Sequence, residues 1–166
     1  MCEWCGAPAG LLDGFSVVER PAQTLVGRVW EGTYSQAAGG ALHPVLAKVQ
    51  AQGTGEGKQA GAALWAGPIV GISWNDRPDG FRYFVGIESD AVDAEKSPLK
   101  VPAMRFATAW HDASDGDVTE HYQLMLQWME REGLSWDKSR MHHREEYPLH
   151  ADFSAPPMLR LMVPVR

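Results

Sequence analysis

A hidden repeat constrains this chain more than any other feature. Laid on itself at an offset of 80 residues, the sequence places Val29-Trp30 on Ala109-Trp110, Leu42 on Tyr122, Val45 on Met125, Leu46 on Leu126, Val49 on Met129 and Gly53 on Gly133. Identity is limited to Trp, Leu and Gly, and the rest is a shared apolar pattern. Two copies of this length point to a duplicated fold half, because solenoids need three or more. The 166 residues then make one domain of two halves, about 15–90 and 100–166, behind an N-terminal extension over 1–14. A chain of this length buries roughly 70% of its unfolded surface, so its core needs neither disulfide nor metal.

Both halves read as strand–helix–strand–strand. Phe15 to Glu31 alternates apolar and polar residues and is expected to be one long strand, bent or bulged at Pro21. Ala38, Leu42, Val45, Leu46 and Val49 recur at helical spacing, which predicts a helix over 34–52 with Gly53 as its stop. The stretch Gly53 to Gly61 reads as a loop. Strands are expected over 69–74 and 81–88, joined by the turn-formers of Asn75 to Gly80. In the second half Lys100 to His111 is a strand. Asp117 caps the next helix, with Glu120 placed to complete a capping box. That helix runs to about Arg131 with Val118, Tyr122, Met125 and Met129 on one face, Trp128 beside them and Gly133 at its end. His142 to Tyr147 and Met158 to Val165 close the set. The expected class is α+β, with two helices covering one face of an antiparallel sheet.

Composition excludes several functions. The formal charge is −6, from 15 Lys+Arg against 21 Asp+Glu, so no basic face is available for nucleic acid. No window approaches 18 uncharged apolar residues and no secretory signal opens the chain, so a soluble cytoplasmic protein without a membrane partner is expected. Cys2 and Cys5 form one terminal C-x-x-C that reads as incidental. A zinc site would need two further ligands, which His142-His143 supplies only if the fold brings it near. Gly71-Ile72-Ser73-Trp74-Asn75 ends in Asn where a nucleophile elbow needs Gly. The glycines before Lys58 miss the phosphate-loop spacing, and Asp112, Asp115 and Asp117 miss the calcium-loop spacing, reading instead as a solvated turn. No cofactor and no metal are expected.

One constellation carries chemistry. In His142-His143-Arg144-Glu145-Glu146-Tyr147, strand alternation places His143, Glu145 and Tyr147 on one face and His142, Arg144 and Glu146 on the other. Either one face turns inward and sets a carboxylate and a phenol among aromatics, or the strand lies at an edge with all six residues in water. Alternation alone leaves both open. An inward carboxylate is costly unless a cation or hydrogen-bond donors meet it. The chain has seven Trp, four Tyr and five Phe to line such a place.

From Phe15 to its C-terminus the chain resembles the GyrI-like small-molecule-binding domain, also found as the effector-binding half of AraC-type and MerR-type regulators. The matching pieces are Val17-Val18-Glu19-Arg20-Pro21-Ala22 with Val26-Gly27, then Gly32-Thr33-Tyr34, then Gly71 to Asp76 with Phe81-Arg82-Tyr83. Val101 to Ala107, Glu145-x-Tyr147 and Leu161 to Val165 follow. The resemblance implies a tandem pseudo-two-fold pair of units with a ligand cleft between them, lined by aromatics around an acidic residue. The family's pocket carboxylate maps to Glu145, which leaves Glu146 as the solvated neighbour. Trp74, Tyr83, Trp110, Tyr122 and Tyr147 are the candidate lining, with Trp110 at the cleft. The second half lacks the Gly-x-Tyr of the first, and Asp112 to Asp117 stands there instead, which would make the cleft mouth more acidic. Only about 14 residues precede the domain, so a stand-alone copy without a helix-turn-helix is expected.

The function so implied is binding, by sequestration or sensing, of bulky hydrophobic and often cationic small molecules. A second reading is enzymatic, because stand-alone relatives hydrolyse cyclopropane-bearing alkylating compounds. Glu145 would then orient or deprotonate a water and Tyr147 would donate to the oxyanion. A third reading is a DNA gyrase inhibitor-like protein, for which the residues offer nothing specific.

Overall fold

The computed structural model describes residues 14–54, 67–88, 98–149, 151–154 and 158–166. Cys2, Cys5 and stretch 55–61 of the expected loop lie outside them. The strands are β1 (Ser16–Arg20), β2 (Gln23–Thr33), β3 (Ile69–Arg77), β4 (Gly80–Glu88), β5 (Leu99–Val101), β6 (Met104–His111), β7 (His143–Tyr147) and β8 (Leu159–Pro164). Between them stand helices α1 (Tyr34–Ala38), α2 (His43–Thr54) and α3 (Val118–Arg131), with a 3-10 turn at Ala113–Asp115. All eight strands form one antiparallel sheet in the order β1-β6-β8-β7-β3-β4-β2-β5. That order is a palindrome: exchanging β1 with β5, β2 with β6, β3 with β7 and β4 with β8 returns it. The α+β class and the pseudo-two-fold arrangement read from the repeat are therefore the architecture of the molecule, with β3 and β7 paired at its centre.

The strand expected over Phe15 to Glu31, bent at Pro21, and the strand expected over Lys100 to His111 are each two strands. β1 pairs with β6 in the other half, whereas β2 pairs with β4 of its own half. β5 likewise pairs across to β2 while β6 pairs with β8. The chain changes partner at Pro21-Ala22 and again at Pro102-Ala103. Proline has no N–H for a ladder, so it fits a point where one pairing ends and the next begins.

These matching breaks are 81 residues apart, and side-chain faces show that the strands repeat with that odd offset. Leu25 of β2 and Phe106 of β6 pack in the same buried cluster with Val70, Ile72, Phe84, Val101, Met141 and Met162. Successive strand residues point to opposite faces, so only an odd shift superposes them. The offset of 80 holds for the helices but slips by one in the strands. Trp30 and Trp110 are consequently not equivalents: Trp30 packs on the helix-side cluster, and Trp110, which shares Phe106's face, points to the other.

The first-half helix is also split. Gly40 adopts φ +92° between α1 and α2, a left-handed conformation that ends a helical run, and α2 continues through Gly53 to Thr54. A complete capping box forms at Thr33 with Gln36, not at Asp117. The Asp117 carboxylate instead accepts from the Thr119 amide at 2.6 Å. α3 buries His121, Met125 and Met129, and α2 buries Leu46 and Val49, all against one sheet face. Met125 and Met129 were expected in this stripe; His121 was not. Among the described residues no helix is long and apolar enough to cross a membrane.

Candidate functional site

β7 runs between β3 and β8 in the middle of the sheet, so the edge-strand alternative for 142–147 is excluded. Glu145 lies opposite Gly71 on β3 and Leu161 on β8. On the helix side its half-buried carboxylate collects three phenols. Tyr83 donates to Oε1 at 2.7 Å, Tyr147 to the same oxygen at 3.3 Å, and Tyr122 to Oε2 at 3.1 Å. Tyr83 and Tyr147 hydroxyls are themselves 3.1 Å apart. Tyr147 is two residues along the same strand and therefore on the same face. Tyr122 comes down from α3, and Tyr83 reaches across from β4 over Gly71.

That last reach explains the glycine. A methyl group at Gly71 would overlap the Tyr83 phenol, so the strand opposite Glu145 must be bare for the shortest hydrogen bond to form. Around the group stand Phe81, edge-on to Tyr83 at 6.0 Å, and Phe153, edge-on to Tyr147 at 5.8 Å. His143 packs its ring on Tyr122 and Trp136 with centroids 4.5 and 5.1 Å away. Sequence reading missed Gly71, Phe81, Phe153, His143 and Trp136 as neighbours of Glu145. Only His143 carried a signal, being on the same strand face.

Burial pushes the Glu145 carboxyl above the usual carboxylate range, and the three phenol hydrogen bonds oppose that rise without cancelling it. Burial, followed by the nearby Glu145 charge, holds all three tyrosines well above 10, so they remain donors at neutral pH. His143 is depressed to about 4, chiefly by burial, and is neutral at pH 7. Among the described residues no arginine or lysine pairs with Glu145.

Glu146 is the opposite case, and the expectation that it is solvated is wrong. It is 1% exposed and points to the other face. Arg20 grips it with Nη2 on Oε1 at 2.8 Å and Nε on Oε2 at 3.0 Å. Arg144, fully buried, donates to Oε2 from Nη2 at 2.9 Å and from Nε at 3.1 Å. Gln23 accepts a further Arg144 bond at 2.7 Å. Burial alone would raise the Glu146 carboxyl, but the hydrogen bonds and charges of Arg20 and Arg144 outweigh it and hold the group below the usual range. The alternation that turned Glu145 inward on one face thus buried Glu146 on the other.

Of the expected lining, the structure brings together Tyr83, Tyr122 and Tyr147 around Glu145. It separates Trp74 and Trp110 from them, because both share the far face of the sheet. Trp74 lies under the Arg82 guanidinium at 5.1 Å and donates to the Arg140 carbonyl at 2.8 Å. Trp110 is buried under Arg160 at 5.1 Å. Two surface grooves of about 500 and 600 Å³ lie along the proline crossings, one lined by Ala22, Gln23, Lys100 and Pro102 and the other by Arg20, Pro21, Ala103 and Met104. They are counterparts under the 81-residue shift, and Glu145 lines neither.

No family model and no curated protein matches this sequence. Solved structures do. The chain is similar to SAV2435 bound to tetraphenylphosphonium, with TM-score 0.62, 15% identity, and 92% of this chain and 94% of the other covered. It is similar to the EcmrR C-terminal domain at TM-score 0.62 and 14% identity, covering 92% and 97%. It also resembles a hydrolase from Listeria innocua at TM-score 0.54 and 16% identity, covering 92% and 91%. The chain thus shares the α+β fold of these structures, which is consistent with the GyrI-like resemblance read from the sequence.

Proposed function

We propose that the protein binds bulky hydrophobic cations, with Glu145 as the counter-charge and Tyr83, Tyr122 and Tyr147 as the groups that hold it. The observation that carries this reading is the contrast in compensation: Glu146 is neutralised by two arginines, whereas Glu145 has hydrogen-bond donors and, among the described residues, no cation. Phenols stabilise a carboxylate without cancelling its charge, and their rings present faces to which a delocalised cation is attracted by about 0.5–2 kcal/mol each. A cation entering beside Glu145 supplies the missing charge. The tetraphenylphosphonium bound to SAV2435, which shares this fold, supports that ligand class. Trp74 and Trp110, on the other face, have no part in this site.

The test is a tryptophan-fluorescence titration with tetraphenylphosphonium. A unit charge about 4 Å away at an effective dielectric near 20 contributes about 4 kcal/mol; if desolvation offsets about half of it, Glu145→Gln weakens binding roughly thirtyfold. Unchanged affinity would remove Glu145 from the role.

A second reading has its own observation. Tyr83 and Tyr147 share one carboxylate oxygen, an arrangement in which Glu145 can take a proton from water while a phenol donates to a developing oxyanion. The fold likeness to a Listeria hydrolase favours asking the question. Ring-opened product from a cyclopropane-bearing alkylating compound, followed by mass spectrometry, would establish turnover; its absence leaves binding alone.

A further inference from the structure

On the helix side, away from Glu145, two buried imidazoles meet. His111 ends β6 and His121 sits in the first turns of α3; they are 3% and 9% exposed. Their Nδ1 atoms are 2.8 Å apart, and the rings are inclined at 51° with centroids 5.1 Å apart. Asp115, on the 3-10 turn joining the two elements, brings a carboxylate to the same place: one ligand atom from each of the three lies within 4.8 Å of the others. The turn holds that carboxylate, since the Asp112 amide donates to its Oδ2 at 2.8 Å. Phe15 packs edge-on against His121 at 5.8 Å and closes the apolar side.

Two buried imidazoles at this separation must share something. With one proton between them they need opposite tautomers, one Nδ1 donating and the other accepting. Both cannot carry the proton there without repulsion in a poorly solvated place. A cation that takes both lone pairs removes the conflict. Two neutral nitrogens and one carboxylate match the ligand preference of zinc and its first-row neighbours, which use imidazole and carboxylate at about 2.0–2.2 Å and leave a fourth position to water. Tetrahedral coordination would set the nitrogens about 3.3 Å apart, an opening of about half an ångström.

From this geometry we infer that His111, His121 and Asp115 form a binding site for a divalent transition-metal ion, zinc being the best-matched probe. These ligands obey no local spacing in the sequence, because a strand end, a turn and a helix bring them together. His121 immediately precedes Tyr122, so an ion here fixes the helical turn that carries one of the three phenols on Glu145.

The full chain, stripped with chelator, is titrated with Zn²⁺ by calorimetry and with Co²⁺ by visible absorption. One ion per chain with tetrahedral Co²⁺ bands is expected. Binding should persist in a Cys2→Ser/Cys5→Ser protein, be lost in His111→Asn and in His121→Asn, and weaken in Asp115→Asn. Circular dichroism checks that each variant is folded. If a histidine variant unfolds, imidazole ¹⁵N shifts of the wild type decide instead: His111 and His121 Nδ1 signals move on zinc addition if they ligate. The inference is overturned if no stoichiometric binding occurs. It is equally overturned if binding vanishes with the cysteines and survives in His121→Asn, or if those Nδ1 signals stay still.

Discussion

Strand β7 carries two adjacent carboxylates on opposite faces of one sheet, and the fold treats them differently. Glu146 is enclosed: two arginines surround it and cancel its charge, while the buried Arg144 Nη1 has no hydrogen-bond partner among the described residues. Glu145 is supported but not neutralised, because its partners are three phenols. Phenols satisfy lone pairs and leave the negative charge in place. A structural carboxylate needs compensation within the chain, whereas one awaiting a ligand needs its compensation left out. Under the proposed function, Glu146 maintains the fold and Glu145 is the residue that the fold maintains.

The largest expected effect breaks the closed side. Glu146→Gln takes the carboxylate from the fully buried Arg144 guanidinium and should cost about 3–5 kcal/mol in urea unfolding. Glu145→Gln should be neutral or stabilising by the same measurement, since it removes a charge that burial disfavours. Equal losses from the two variants would erase the distinction. A smaller effect is expected from Tyr83→Phe. Removing the shortest phenol bond withdraws about 1.5–3 kcal/mol of support from the ionised carboxylate. The acid limb of ligand binding then moves to higher pH, because Glu145 becomes harder to ionise. Tyr147→Phe, with its longer bond, should shift that limb less. Gly71→Ala should cost about 1–3 kcal/mol through overpacking. It should also mimic Tyr83→Phe in the binding profile by displacing the phenol, and an unshifted acid limb would show that the strand face opposite Glu145 need not be bare.

The smallest effect lies in the pH dependence of stability, where the two residues have opposite signs. Glu146 is held below the ordinary range, so its contribution is present above the unfolded value and is lost as pH falls through the lowered one. Glu145 is held above it, so its contribution is full below the unfolded value and is lost as pH rises through the raised one. Glu145→Gln should accordingly gain stability relative to wild type as pH rises above the ordinary carboxylate range, read as urea midpoints from acid to neutral pH. A flat difference would mean that burial does not raise Glu145 in the folded protein.

One side of this contrast was partly legible in the sequence, and the limits are physical. Alternation along 142–147 put Glu145 and Tyr147 on one face, helical spacing put Tyr122 in the apolar stripe of its helix, and the family resemblance implied that they meet. The fate of Glu146 was not legible, because Arg20 is 126 positions away and meets it only when β1 crosses into the other half. Trp110 failed for a sharper reason. A strand's period is two, so the one-residue error in the repeat offset moved it to the wrong face. Helices tolerate such a slip better, and Met125 and Met129 were placed correctly. Gly71 gave no signal, since a bare position matters only once Tyr83 is seen lying across it.

Under the proposed function, Glu145 is the charge that a bound cation compensates. Two ions of nearly the same shape and opposite sign, tetraphenylphosphonium and tetraphenylborate, test it most directly when titrated into wild type and Glu145→Gln under identical conditions. Wild type should prefer the phosphonium strongly, and the preference should collapse in the variant while the fold persists. Equal affinity for the two ions in wild type, or a preference that survives Glu145→Gln, would contradict the account.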